Sequence, residues 1–428
     1  MKPIIEPKIL KGTRDFLPQE MAKRNYVMDK MKNIFARFGY DTIETPVLAY
    51  AETILGKYGE EGDRLTYTFE DNGGRKIALP YDQTVPFARL FAANYNSLPI
   101  PFKRYQIQRV WRADKPQKGR MREFYQCDID IIGTNDLLAE TELARLMWQV
   151  FLELGIVNIK IQLNSRRLVN DILRKLELEN YCAEILRTID KFDKIGEENV
   201  KVELEKIIDS QVKVETLLNL LRPEANNEAT LAKLKGYDTE DVKRLLELCK
   251  SFQIPNQYLV FNPRLARGLD YYTGIIFEVI GDDLSLGSLC GGGRYDDLCG
   301  LFCREKFSGV GVSFGFERIM MILENLGKLK DVPLNSNVLV TLFDDQSYED
   351  ALTVYSLLVD AGIQCEIYFQ PDKLQKQLKY ADKKRIPFVV LRGSDEIKNQ
   401  AVTVKALQIG KQKTIPLNQL VSYLQGYE

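Results

Sequence analysis

A chain of 428 residues is too long for one ordinary core and reads as two or three domains. Its 45% hydrophobic and 28% charged content marks a globular chain, and 59 basic against 60 acidic residues leave a formal charge of −1. That balance excludes capture of nucleic acid by the whole-molecule field, so any phosphate-binding surface must be a local patch.

The chain contains no histidine. Ser/His and Cys/His nucleophilic pairs, histidine general bases and histidine metal ligands are all excluded, leaving carboxylates, Arg, Lys, Tyr and bound ions to do any chemistry. The opening, MKPIIEPKILKG, lacks the sustained apolar core of a secretory signal, and no apolar run approaches a membrane span. Seven cysteines, at 127, 182, 249, 290, 299, 303 and 365, are odd in number and form no CxxC pair, which points to reduced thiols in the cytoplasm. Cys299 and Cys303 have a spacing that a metal could use, but without a second pair or a histidine no metal site is expected.

In chain order, KGTRDFLP (11–18) is a polar turn leading into a helix from about Gln19 to Phe38, stopped by Gly39. DTIETP (41–46) reads as an edge strand closed by proline. Tyr67–Phe69 and Lys76–Leu79 read as paired strands that deliver PYDQTVP (80–86), where Asp82, Gln83 and Thr84 are polar between apolar flanks.

The stretch RVWRADKPQKGRMREFYQCDIDIIG (109–133) organises the chain. Gln108–Arg112 and Arg122–Ile132 read as an antiparallel hairpin whose tip carries Asp114, Lys115, Lys118 and Arg120. Strand alternation puts Arg122, Phe124, Gln126, Asp128 and Asp130 on one face, and Arg112 could project onto it. Such a floor suits a ligand with phosphates and hydrogen-bonding groups; a solvated hairpin with a surface charge network is the competing reading of the hairpin alone.

Leu137–Leu154 reads as an amphipathic helix, and from about Arg166 to Phe252 charged amphipathic helices follow one another. They form either a module that touches a partner or a spacer, and their lysines are matched by glutamates. Strand texture returns at Gln257–Ile280, Ser288–Leu298 and Phe307–Phe316, the last passing into a helix at Glu317–Glu324 where a phosphate could meet free amides. Tyr271 and Tyr272 are adjacent, so in a regular strand at most one faces a ligand. Beyond Asp331, strands at 337–343, 364–369 and 387–392 alternate with helices at 348–361 and 374–384, implying a small, mostly parallel sheet. The cations Arg112, Arg267 and Arg318 on three separated strands suggest a polyphosphate held from several sides, and no GxxxxGK[ST] stretch offers a P-loop.

RVWRADKPQKGRMREFYQCD resembles the second signature motif of the class II aminoacyl-tRNA synthetases in its histidyl form. LARGLDYYTG and GGGRYD resemble the two histidine-specific motifs, GVGVSFGFER the third class II motif, DTIETP the first, and KGTRDFLP the family's opening. The resemblance implies an α+β fold with an antiparallel sheet core and a C-terminal α/β anticodon-binding domain. It divides the chain into a first catalytic part (1–165), a helical insertion (166–255), a second catalytic part (256–330) and the anticodon-binding domain (331–428).

The activity implied is activation of histidine with ATP and Mg²⁺, then transfer to tRNA(His), by a cytoplasmic homodimer without membrane association. Carried over by position, Arg112 holds the ATP α-phosphate, Arg318 the γ-phosphate, and Asp114 also contacts ATP. Arg267 neutralises the reacting carboxylate and α-phosphate, with Arg112 and Arg267 the catalytic pair. Asp82 and Thr84 sit at the amino group, Gln126 near the carboxylate, and Asp130 and Tyr272 at the imidazole nitrogens, with Tyr271 beside them. Lys115 and Gln117 meet the tRNA acceptor end. Pro80 and Met121 depart from the family pattern, where Arg and Tyr are usual, so contacts there are not carried over. A regulatory paralogue that only senses histidine, and an RNA-binding relative without catalysis, are the rival readings; Arg267 and residues 332–428 speak against the first, and the retained ATP arginines, with no kinase module in the sequence, against the second.

Overall fold

Alternation of apolar and polar residues dictates a ribbon of paired strands, and the computed structural model builds the chain around one. It describes residues 4–57, 59–117, 119–266, 271–281, 287–296, 298–334, 336–344 and 347–427. Two units result: residues 1–15 with 27–328, and residues 16–26 with 329–428. The helix Pro18–Arg37 contributes to both.

The first unit opens with the short edge strand β1 (Asp41–Thr42) and a three-stranded sheet of β2 (Ala49–Tyr50), β3 (Thr68–Glu70) and β4 (Lys76–Ala78). A long hairpin follows, β5 (Phe102–Trp111) and β6 (Glu123–Ile132), then β7 (Ile159–Ser165), β8 (Leu259–Phe261), β9 (Ile275–Gly281), β10 (Cys290–Tyr295) and β11 (Gly309–Phe314). The eight-stranded sheet runs β1-β5-β6-β11-β10-β9-β7-β8. Its interior pairs are antiparallel; only the outer pairs β1·β5 and β7·β8 are parallel.

Parallel neighbours need a long crossover. Between β7 and β8 that crossover is helical: Arg166–Lys175, Cys182–Ile189, Phe192–Ile207, Gln211–Leu221, Asn227–Lys233 and Glu240–Ser251. Their inward faces bury Leu204, Leu217, Leu221 and Leu245, while Lys191–Glu203 and Lys201–Glu215 pair at 2.7 and 2.9 Å. The balance of lysine and glutamate seen in the sequence is thus spent within the helices.

Helix Leu138–Glu153 buries Leu143, Leu146, Met147, Val150 and Phe151. A second core joins Phe87 and Phe91 of the helix Thr84–Asn94 to Phe102, Ile132, Leu298 and Cys299. In the second unit, β12 (Val338–Val340), β13 (Cys365–Ile367), β14 (Phe388–Leu391), β15 (Ala401–Ala406) and β16 (Lys411–Pro416) form a sheet ordered β13-β12-β14-β15-β16. Val338, Val340, Val354, Leu358, Val390 and Val402 fill its core. Among the described residues, no helix is long and apolar enough to cross a membrane.

Several expectations need correction. The incoming hairpin strand begins at Phe102 rather than Gln108, because Arg104 and Gln106 interrupt the apolar pattern while still alternating with it. PYDQTVP, left without a secondary structure by the sequence, runs into a helix at Thr84, with Pro86 in its first turn where a missing N–H costs nothing. Gln257–Ile280 holds two separate strands, β8 and β9, and Tyr271 and Tyr272 lie in neither, so strand alternation does not separate them. Arg318 stands on the helix Phe316–Asn325, not on a strand. The C-terminal sheet is mixed, since β14, β15 and β16 are antiparallel.

Candidate active site

Register across the central strands builds the site's floor. Gln108, Gln106 and Arg104 of β5 lie opposite Gln126, Asp128 and Asp130 of β6, and Ser313 and Gly311 of β11 lie opposite Asp128 and Asp130. Gly293 of β10 continues the row beyond Gly311. The glycines are required by close approach: a Cβ on Gly311 would sit 1.9 Å from Asp130 Oδ1, and one on Gly293 would be 3.0 Å from Tyr272 Cδ1. Tyr272 therefore lies against the glycine row beside Asp130.

Asp130 is buried and both its oxygens are engaged. Arg104 Nη2 stands 2.6 Å from Oδ2, and the Tyr295 hydroxyl donates to Oδ1 at 2.7 Å. Burial pushes the Asp130 carboxyl upward, opposed by Arg104 and by the Tyr295 hydrogen bond. Arg104 also lies over the Phe87 ring at 4.3 Å, so a buried cation is held between a carboxylate and an aromatic face. Burial raises the Asp128 carboxyl to about 7, with Arg104 opposing and Asp130 and Asp82 adding to the rise.

The segment before helix Thr84–Asn94 forms one wall. Asp82 Oδ1 accepts from the backbone N–H groups of Thr84 and Val85 at 3.1 and 3.2 Å, capping the helix although it stands one residue before the cap position. Gln83 anchors this wall to the floor by donating Nε2 to the carbonyls of Gln108 and Gln126. The Tyr271 hydroxyl hydrogen-bonds Thr84 and Tyr272, and its ring meets those of Tyr272 and Tyr295 at 4.8 and 6.2 Å. Both tyrosines thus belong to one aromatic wall.

Arg112 donates Nε to the Tyr81 carbonyl at 3.0 Å and lies over the Tyr81 ring at 4.2 Å, which orients its guanidinium beside that wall. Arg318 donates to the Ser288 carbonyl. At the hairpin tip, Asp114 is buried and pairs with Arg120 at 2.8 Å. Arg122, expected on the polar face, instead sends Nε to the Asp114 carbonyl and Nη1 to the Lys11 carbonyl. Gly12 is needed beneath it, with φ +92° and a would-be Cβ 2.8 Å from both Arg122 Cγ and Pro116 Cγ. This explains why KGTRDFLP goes with the hairpin. Lys115 is exposed, and Gln117 forms a backbone bridge with Arg120. Arg267 and Lys118 lie outside the described residues.

The structure therefore brings Asp82, Thr84, Gln126, Asp130, Tyr271 and Tyr272 to one place. Sequence reasoning missed Arg104, Tyr295 and Ser313, which reach the same floor. The available signal was the polar run Arg104, Gln106, Gln108 at every second residue, which marks a second polar strand facing the first. Conversely, Arg294 of GGGRYD serves the fold: it forms a buried pair with Glu140 and donates to the Thr134 carbonyl and the Ser308 hydroxyl.

Comparison with known proteins agrees with this geometry. Residues 12–319 match the family model described as histidyl-tRNA synthetase, and residues 332–427 match that of an anticodon binding domain. The histidine–tRNA ligase of Christiangramia forsetii is 39% identical, covering 97% of this chain and 98% of the relative. That of Phocaeicola vulgatus is 38% identical over 98% and 99%. The crystal structure of histidyl-tRNA synthetase from Nostoc sp. PCC 7120 superposes with a TM-score of 0.87 at 29% identity, covering 99% of this chain and all of that one. With the match spanning the eight-stranded sheet and its inserted helices, and the similarity running along nearly the whole length, the chain belongs to the histidyl-tRNA synthetase family.

Proposed function

We propose that histidine is activated on the polar floor of β5, β6 and β11, with the residues identified above in defined roles. Family membership gives the overall reaction: histidine and ATP form histidyl-adenylate and pyrophosphate, and histidine then passes to the 3′ end of its tRNA. The observation that carries the residue assignment is the convergence of side chains on one face of the sheet: Asp130 and Tyr272 lie against the closely approached glycines 311 and 293, Tyr271 ties Tyr272 to Thr84, and Gln126 bonds Ser313 on the same floor.

In this reading Asp130 and Tyr272 hold the imidazole nitrogens, and Tyr271 keeps Tyr272 and Thr84 in place. Asp82 and Thr84 receive the α-ammonium. Gln126, placed near the carboxylate by resemblance, donates Nε2 to Ser313 and leaves its buried amide oxygen without a protein partner, so it suits the ammonium better. Arg112 takes the α-phosphate and Arg318 the γ-phosphate. Asp114 acts on ATP through Arg120, which its carboxylate positions. Arg267 is assigned to the junction of carboxylate and α-phosphate on the resemblance alone.

No protein base is required, because the substrate carboxylate is already a nucleophile toward the α-phosphorus. Catalysis then rests on alignment and on neutralising the charge of the in-line transfer. A histidine-free chain can perform it. Mg²⁺ is proposed to arrive as the ATP complex and to supply charge neutralisation at the phosphates. Work in the cytoplasm as a homodimer belongs to the same proposal, supported by the resemblance of DTIETP to a dimer-forming motif and by the exposed Leu48 and Tyr50 just beyond it. Lys115 and Gln117 are assigned to the acceptor end of tRNA.

The test is single-turnover adenylate formation by Arg112→Ala and Arg267→Ala. Each is expected to be slower by roughly 10²–10³-fold, the scale for losing one preorganised charge donor. Unchanged rates would remove these residues from the catalytic machinery.

A further inference from the structure

The orientation of the Gln126 amide is set by a chain of three side chains. Gln126 and Asp128 share one face of β6, and Ser313 lies opposite Asp128 on β11. Gln126 Nε2 donates to Ser313 Oγ at 3.0 Å, and Ser313 in turn hydrogen-bonds the Asp128 carboxylate. A hydroxyl has one proton to give. Once that proton points at an ionised Asp128, Ser313 can only accept from Gln126, which leaves the amide oxygen turned away from it.

That oxygen, Gln126 Oε1, is buried and has no partner within the protein. Gln83 stands against the same residue but cannot supply the missing donor, because its Nε2 is committed to the carbonyls of Gln108 and Gln126. A buried acceptor left open is costly unless a ligand brings a donor. The histidine α-ammonium brings three.

We propose that Asp128, acting through Ser313, determines which end of the Gln126 amide meets the substrate. Ionised Asp128 takes the serine proton and presents Oε1, which accepts from the histidine ammonium. Protonated Asp128 donates to Ser313, the serine proton turns toward Gln126, and the amide must present its NH₂ group to a cation. Asp128 and Ser313 are positioning residues in this account; neither touches the substrate.

The groups facing Asp128 are Arg104 and Gln106 from β5, Asp130 from its own strand, Ser313 from β11, and Asp82 from the segment before the helix Thr84–Asn94. Burial raises the Asp128 carboxyl to about 7, so the reversal falls in the neutral range. The inference rests on the assignment of histidine to this floor.

The experiment is histidine-dependent pyrophosphate exchange by the full chain, with KM for histidine and for ATP measured separately. Above neutral pH, Asp128→Asn and Ser313→Ala are expected to raise the histidine KM by about 10- to 100-fold, the scale for losing one hydrogen bond to a charged group. KM for ATP should be unchanged, and Ser313→Thr, which keeps the hydroxyl, should behave like the wild type. With the triazole analogue of histidine, whose ring does not titrate near neutrality, the wild-type KM should rise as pH falls through about 7, and the Asp128→Asn KM should not. A histidine KM indifferent to both substitutions, or equal changes in both KM values and kcat, would overturn the relay. Wild-type exchange that proceeds without histidine would remove the underlying assignment instead, so the two failures are distinguishable.

Discussion

Arg104 and Asp130 face each other in register on β5 and β6, with Nη2 2.6 Å from Oδ2, and both side chains are buried. The pair places a permanent cation under the carboxylate proposed to hold the substrate ring. Neither charge has water to fall back on.

Removing one partner should therefore be severe. Arg104→Met is expected to cost roughly 3–5 kcal/mol, the range for leaving one member of a buried ion pair uncompensated. Chemical denaturation followed on the first unit checks this. The double variant Arg104→Met with Asp130→Leu should regain much of the stability yet fail to activate histidine. A double variant no more stable than the single one would show that the loss comes from packing rather than charge.

Asp128 predicts an unusual pH dependence of stability. Burial raises its folded-state pKa to about 7, whereas an unfolded aspartate titrates near about 3.9. Between those values the folded state binds the extra proton, so this group's contribution is fully present below about pH 4 and is lost as pH rises through about 7. Asp128→Asn, which cannot ionise, should flatten that part of the profile. Thermal melts at a series of pH values give the comparison, and identical slopes in the two proteins would refute the assignment.

Gly311 has no room for a side chain, since a Cβ would lie 1.9 Å from Asp130 Oδ1. Gly311→Ala must displace the carboxylate or the strand, at a cost of about 1–3 kcal/mol for an overpacked site. Its sharper effect should be on histidine: a KM raised at least about tenfold for one lost charged hydrogen bond. Equilibrium binding of ATP should change little by comparison. A variant that keeps wild-type histidine affinity would place the substrate elsewhere.

At the hairpin tip, Lys115 is exposed and Gln117 is fixed through its backbone bridge to Arg120. Replacing both side chains by alanine should leave that bridge intact, spare pyrophosphate exchange and raise the KM for tRNA. Equal losses in exchange and charging would mean that the tip serves ATP rather than the acceptor end.

How much of this was legible in the sequence depended on the range of the interaction. The hairpin, the helix over 138–153 and the helical texture of the insertion follow from local periodicity, although the hairpin's incoming strand starts at Phe102, six residues before the apolar alternation suggested. Asp130 and Tyr272 stand out through motifs. Arg104, Tyr295 and Ser313 do not, because their roles arise only when β5, β10 and β11 line up beside β6; Tyr295 and Asp130 are 165 residues apart. The two tyrosines at 271 and 272 misled because alternation presumes a strand, and they sit in a loop. β16 escaped notice because it exposes Lys411, Gln412, Lys413 and Thr414 in succession and buries only Ile415, which leaves almost no apolar period to detect, whereas β15, AVTVKA, carries a strand-like apolar signal that was passed over.

The most direct measurement is amino-acid-dependent exchange of labelled pyrophosphate into ATP by the purified full chain, without tRNA. The account predicts exchange with histidine, none with the other standard amino acids, and its loss in Asp130→Leu. Exchange that ignores histidine, or that survives in Asp130→Leu at the wild-type histidine KM, would contradict the assignment of the floor of β5, β6 and β11 to histidine activation.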